Sequence, residues 1–173
     1  TVNIAAPTIN QENESAWNGG PGFEVYAEQL GWETNNEVVS NGSPNAIKGD
    51  TITILHLWDV MPPTFRGFGK ETRDQLLQLL ENTVYEKLLI FNPETFKWEP
   101  QLATHWRVGK DSLTFFFRID PRAKWADGKE IISKDVVSAF NLLSDDGHQD
   151  PNTASYYKEL FNTPVVESKN IVK

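Results

Sequence analysis

Cysteine is absent from all 173 residues. That excludes, within this chain, a disulfide framework, thiolate metal sites, a cysteine nucleophile and a cysteine-linked lipid anchor. The absence leaves the compartment open. No run approaches 18 consecutive apolar residues, so no segment reads as a membrane-spanning helix. Positive charge is also in short supply: 16 Lys and Arg stand against 24 Asp and Glu, for a net charge of −8. A chain with so little cationic surface is a poor partner for DNA, RNA or anionic lipid, because it cannot release counterions from phosphates. The opening TVNIAAPTIN has no basic segment followed by an apolar one, so an export signal is read as absent or already removed.

What is there suffices for a core. Hydrophobic residues make up 39% and aromatics 12%, which excludes a wholly disordered chain and suits one or two compact units. Residues 1–49 carry most of the turn chemistry, in Asn18–Gly22, Thr34–Asn36 and Asn41–Asn45. The short apolar pieces between them, Phe23–Tyr26 and Leu30–Trp32, read as parts of a strap lying over a larger body. Thr51–Trp58 is rich in β-branched residues and predicts a strand, ended by Pro62-Pro63. A loop with one cation, two aromatics and two glycines follows, Phe65-Arg66-Gly67-Phe68-Gly69. Leu76, Leu77, Leu80, Val84 and Leu88 then recur at helical spacing and predict a helix over 71–86.

Beyond it come two hairpins. Lys87–Phe91 and Phe96–Trp98 flank Asn92-Pro93-Glu94-Thr95, and His105–Val108 and Leu113–Ile119 flank Gly109–Ser112. Ala126–Lys129 is a further turn. A helix starts at Ser133, with Ser133 as its expected cap and Asp135 matching its N-terminal dipole. It is stopped at Ser144–Gly147, and a shorter helix carries Tyr156, Leu160 and Phe161. Trp98, Trp106 and Trp125 alternate with polar residues beside turns and are expected to bury large areas in a thin β-rich lobe. An aromatic platform for sugars is the other reading of the same residues.

Chemistry-bearing patterns are missing. His56, His105 and His148 are scattered, without HExxH or an i, i+4 pair, so no metal site is expected. Asp145-Asp146-Gly147 lacks the later ligands of a calcium loop and reads as a helix stop. GxSxG does not occur, and Gly67-Phe68-Gly69-Lys70 lacks the spacing of a phosphate loop. The residues alone define an acidic α+β binding or scaffold lobe, with no enzyme and no cofactor expected.

An ordered run of motifs goes further. Tyr85–Leu89 is followed by Pro100-x-Leu102-Ala103-x-x-Trp106, Leu113–Phe117, Lys124-Trp125-Ala126-Asp127-Gly128 and Asp135–Phe140. Asp150–Tyr156 extends the run, and Asn45–Gly49 precedes it. Together these resemble the extracellular solute-binding proteins of family 5, the oligopeptide- and dipeptide-binding subunits of ATP-driven importers. Asp120, Arg122 and Ile132 depart from that pattern, standing where the family often has Arg, Gly and a capping Thr.

The resemblance implies a fragment of a bilobal periplasmic-binding-protein-like fold of class II with an extra accessory lobe, built from short antiparallel hairpins with two or three helices. It implies an N-terminal portion of a longer protein. Residues 1–69 would form a strap and the first strand of the ligand-binding lobe, 70–165 the accessory lobe, and 166–173 the start of the return. Such a portion alone would bind no ligand usefully, since one cleft wall cannot surround it. In the whole protein the partners would be a peptide or another small solute and a membrane permease, in the periplasm or outside the cell. The candidate ligand-contacting residues are Phe65, Arg66, Gly67, Phe68 and Gly69, with Arg66 facing a ligand carboxylate and the glycines allowing close backbone approach. The alternative is a secreted carbohydrate-binding or enzyme-associated module using the tryptophans.

Overall fold

Strand alternation organises the molecule. In Phe115-Phe116-Phe117-Arg118-Ile119, Phe116 and Arg118 turn to one face of the sheet while Phe117 and Ile119 turn to the other, and each face meets a different layer. The computed structural model describes residues 14–37, 43, 45–47, 49, 51, 53 and 75–173. In chain order the elements are α1 (Glu14–Trp17), α2 (Glu24–Ala27), α3 (Gln75–Thr83), β1 (Leu89–Asn92) and β2 (Lys97–Pro100). There follow β3 (Ala103–Val108), β4 (Phe115–Ile119), α4 (Ser133–Leu143), α5 (Pro151–Leu160) and β5 (Ile171–Val172).

Strands β1 and β2 form an antiparallel hairpin, pairing Phe91 with Trp98. A second, three-stranded antiparallel sheet has the order β3-β4-β5, with Trp106 opposite Phe117 and Phe117 opposite Val172. One face packs Ile119 and Val172 against Ile131, Val136 and Val137, where α4 begins. The other packs Ile171 and Phe116 against Phe23, Ala27 and Trp32 of the N-terminal segment. Phe23 is wholly buried, so residues 14–33 supply part of the core as well as lying across it.

The two hairpins, α4 and the second helix stand where their spacing predicts, with shifted ends. Phe96 belongs to the turn, not to a strand: its φ is +54°, and the turn is held by the Asn92 carboxamide oxygen accepting the Glu94 and Thr95 N–H groups. Leu113 likewise sits in the turn before β4, whose N–H groups at Leu113 and Thr114 are taken by the Asp111 carboxylate. The Thr114 hydroxyl, followed by those backbone bonds, holds the Asp111 pKa down to about 2. Helix α3 ends at Thr83, short of the expected 86. Val84 is left exposed, and Leu88 packs into the sheet core instead.

Ser133 is not the cap of α4. Ile132 takes that place, and its N–H is accepted by the Asp135 carboxylate at 2.9 Å. The buried Ser133 hydroxyl instead donates to the Ser168 carbonyl, tying α4 to the approach of β5. Helix α5 is capped by Asp150, which accepts both the N–H and the hydroxyl of Thr153 and precedes Pro151 at the first helical position. Phe140 and Tyr157 join α4 to α5 edge to face, 5.8 Å apart. The two departures at Asp120 and Arg122 compensate each other: the guanidinium grips both oxygens of the carboxylate, and the Arg122 backbone N–H adds a further bond. The Asp120 pKa is accordingly lowered, chiefly by the Arg122 hydrogen bond.

Candidate functional site

The candidate residues Phe65, Arg66, Gly67, Phe68 and Gly69 lie outside the described residues, as does most of the expected strand over 51–58. Two other constellations are assembled from residues far apart in sequence.

The first is an anchor around Arg118, which is 2% exposed. A guanidinium this deep needs partners for its donors. Its Nε donates to the Gly19 carbonyl at 2.6 Å, Nη2 to the Gly20 carbonyl at 3.0 Å, and Nη1 to the Thr104 hydroxyl at 2.8 Å. Glu24 contributes a carboxylate oxygen 3.0 Å from Nη1. The planar head also stands over the Phe23 ring, 5.2 Å from its centroid. Glu24 titrates below its ordinary value. Partial burial raises it, but its own backbone N–H and Arg118 outweigh that. His105 is buried edge-on to Phe23. Burial, and then the Arg118 charge, lower its pKa against a weaker upward pull from Glu24. This cluster is a clamp on the N-terminal segment: its carbonyl and carboxylate acceptors are already occupied.

Beside it a cavity of about 220 Å³ opens between that segment and the sheet, with Trp17, Trp32, Arg107, Phe116 and Glu167 among its walls. Arg107 stacks over Phe116 at 4.3 Å and faces Trp32 at 5.2 Å. Ser168 closes one end by donating to the Asn18 carbonyl at 2.6 Å.

The second constellation is a groove of about 540 Å³ between the extended residues 33–37 and strands β2 and β3, walled by Trp98, Trp106 and Phe96. Glu33 pairs with Trp106 as a single antiparallel bridge on the free edge of β3. Sequence spacing predicts buried tryptophans here, but Trp98 is 51% exposed and Trp125 52%. Trp98 rests edge-on against Phe91 at 5.3 Å, and Trp125 stands at the turn closed by the Gly128 N–H donating to its carbonyl. No cluster of three or more His, Asp or Glu suited to a metal ion occurs among the described residues. No described helix is long and apolar enough to cross a membrane. What these surfaces offer chemically is stacking and hydrogen bonding, the means of a binding protein.

Residues 97–173 match the family described as bacterial extracellular solute-binding proteins, family 5 Middle. A peptidoglycan-binding protein, YepA, of Agrobacterium fabrum is 29% identical over 109 residues, which cover 61% of this chain and 18% of that protein. A probable ABC transporter-binding protein of Deinococcus radiodurans is 31% identical over 83 residues, 47% of this chain and 14% of that one. The matched stretches thus span less than a fifth of either relative's length. Among solved structures, a periplasmic oligopeptide-binding protein of Borrelia burgdorferi aligns at TM-score 0.47 with 16% identity, over 58% of this chain and 23% of that one. NikZ of Campylobacter jejuni, in complex with Ni(L-His), aligns at 0.48 with 21% identity, over 65% and 22%.

The proteins matched in sequence are named as binding proteins. Over residues 97–173, the chain is similar to the extracellular solute-binding proteins of family 5.

Proposed function

We propose that this chain is part of the substrate-binding component of an ABC-type importer, working in the periplasm or outside the cell and delivering a peptide or a similar small solute to a membrane permease. The family match over residues 97–173 carries the reading, and the name of the Deinococcus relative supports it. The name of the Agrobacterium relative supports a cell-wall-derived solute, which can itself be a short peptide. Residues 14–33 and 75–173 then serve as a rigid wall beside the binding cleft. Ligand contact falls to the loop Phe65–Gly69: Arg66 meets a ligand carboxylate, and Gly67 and Gly69 admit an extended backbone.

The division into a strap and first strand (1–69), an accessory lobe (70–165) and a return (166–173) belongs to this proposal. The test is mass spectrometry of solute carried by the full-length protein purified under native conditions, followed by calorimetry with that solute. A peptide that binds tightly, and more weakly to the Arg66→Ala variant, supports the reading. An Arg66→Ala variant with unchanged affinity removes the loop from the site, and a protein that carries and binds no small solute overturns the importer role.

A further inference from the structure

The groove between residues 33–37 and the β2–β3 junction gathers three aromatic side chains at one place. Aromatic side chains are left uncovered on it, with Phe96 79% exposed and Trp98 51%, and Trp106 forms the adjoining wall. Aromatics clustered in one concavity, with polar groups beside them, have the make-up of a ligand site. The groove is also fixed in shape. The Thr34 hydroxyl donates to the Thr104 carbonyl at 2.8 Å, the Asn35 amide to the Trp98 carbonyl at 3.0 Å, and the Trp106 indole N–H to Glu33 at 3.2 Å. These bonds pin the extended segment across both sheets, so the walls are pre-formed. The volume of about 540 Å³ falls within the range of small-ligand sites.

Charge selects the occupant. Lys97 is paired with Glu37 at 2.9 Å, so the cation on the wall is neutralised, and Glu33 leaves the groove with a net negative charge. Such a wall disfavours carboxylates and phosphates. An extended peptide is poorly served as well. In an antiparallel ladder alternate residues point their backbone groups outward, which leaves the free edge of 33–37 only Thr34 and Asn36, too short for strand addition. A pyranose ring suits what remains. Its apolar C–H face stacks on an indole or phenyl ring, while its rim of hydroxyls meets the exposed Asn36 amide and the Glu33 carboxylate. We propose that this groove is a binding site for a neutral oligosaccharide, stacked on Trp98 with Phe96 and Trp106 as flanking walls. The proposal is independent of the importer reading, because the groove lies wholly within the described residues and excludes the Phe65–Gly69 loop.

The test is calorimetry and tryptophan fluorescence of the full chain with chitotetraose, cellotetraose and tetra-alanine. Saturable binding of at least one tetrasaccharide is expected. Trp98→Ala should weaken it about tenfold or more. Asn36→Ala, which removes an exposed amide without disturbing packing, should weaken it less. Trp125→Ala, an equally exposed indole outside the groove, should leave it unchanged. Circular dichroism checks that each variant is folded. The proposal is overturned by no binding of either sugar, by undiminished affinity in Trp98→Ala, by an equal loss in Trp125→Ala, or by tetra-alanine competing for the same place.

Discussion

Arg118 and Gly19 lie 99 residues apart in sequence and 2.6 Å apart in space, the guanidinium Nε donating to the glycine carbonyl. This bond and its companion to Gly20 fasten the N-terminal segment to the middle strand of the sheet. Replacing Arg118 by Met removes the charge, takes the guanidinium from the buried Gly19 carbonyl and leaves the Gly20 carbonyl with the Phe23 N–H, and hydrogen bonds to charged groups contribute about 1.5–3 kcal/mol each. Glu24, the ionic partner, is 57% exposed and adds little. Arg118→Met should therefore cost about 3 kcal/mol in urea unfolding and open residues 14–33 to protease. Arg118→Lys should recover less than half, since an ammonium cannot reproduce the fork. A variant with unchanged stability and unchanged protease resistance would remove Arg118 from this role.

Gly19 itself is under a double constraint. Its φ is +81°, and a Cβ there would stand 2.8 Å from Ile171 Cγ1 and 3.2 Å from Arg118 Cγ. Gly31 has a similar φ of +72° but open space around it. Gly31→Ala should thus cost only the left-handed backbone penalty of about 1 kcal/mol, while Gly19→Ala should cost about 2–3 kcal/mol through added overpacking. Paired thermal melts measure the difference; equal losses would show that the contact with β5 relaxes freely.

The reach of sequence reasoning follows from these contacts. Helices α4 and α5 and both hairpins are visible because their periodicity runs long enough to register, or because a turn residue such as Asn92 or Asp111 marks the reversal. Helices α1 and α2 span four residues each and β5 spans two, barely one period each, so no pattern repeats. Phe23 reads as an apolar piece of a strap, yet it is wholly buried under Arg118. Arg118 itself follows three phenylalanines in a strand pattern, and nothing local tells that its partners are the carbonyls of Gly19 and Gly20. Ser133 fails as a cap for the same reason: its hydroxyl is taken by Ser168, 35 residues away. The groove was half legible, since Trp98 and Trp106 stand out in the sequence, but their exposure depends on which layers cover the β1–β2 hairpin.

Asp150 offers a clean test of a local signal. Its carboxylate accepts the Thr153 N–H and hydroxyl at the start of α5, so Asp150→Ala should destabilise the chain by about 1 kcal/mol. Asp150→Asn, which keeps an acceptor oxygen, should lose less. Urea titration of both variants checks the order; an Asn variant as unstable as the Ala variant would assign the effect to charge instead of capping.

His105 should make stability depend on pH above the range of the carboxylates. Burial and the neighbouring Arg118 hold its pKa below the ordinary 6.5, so in the folded chain the imidazole is neutral at pH 7. The unfolded chain takes up a proton near 6.5, before the folded one does. Between the lowered folded value and 6.5 the unfolded state therefore binds more protons, and stability falls as the pH is lowered through that window. Glu24, whose pKa is also lowered, adds a separate decline below 4.5, so the two contributions are resolved on the pH axis. Urea-derived stabilities measured from pH 7.5 to 5 should decline in the parent chain and run flatter in His105→Gln, whatever the absolute stability of the variant. A parent profile that is level over that range, or a variant with the same slope, would mean that His105 titrates alike in both states and that Arg118 exerts no field on it.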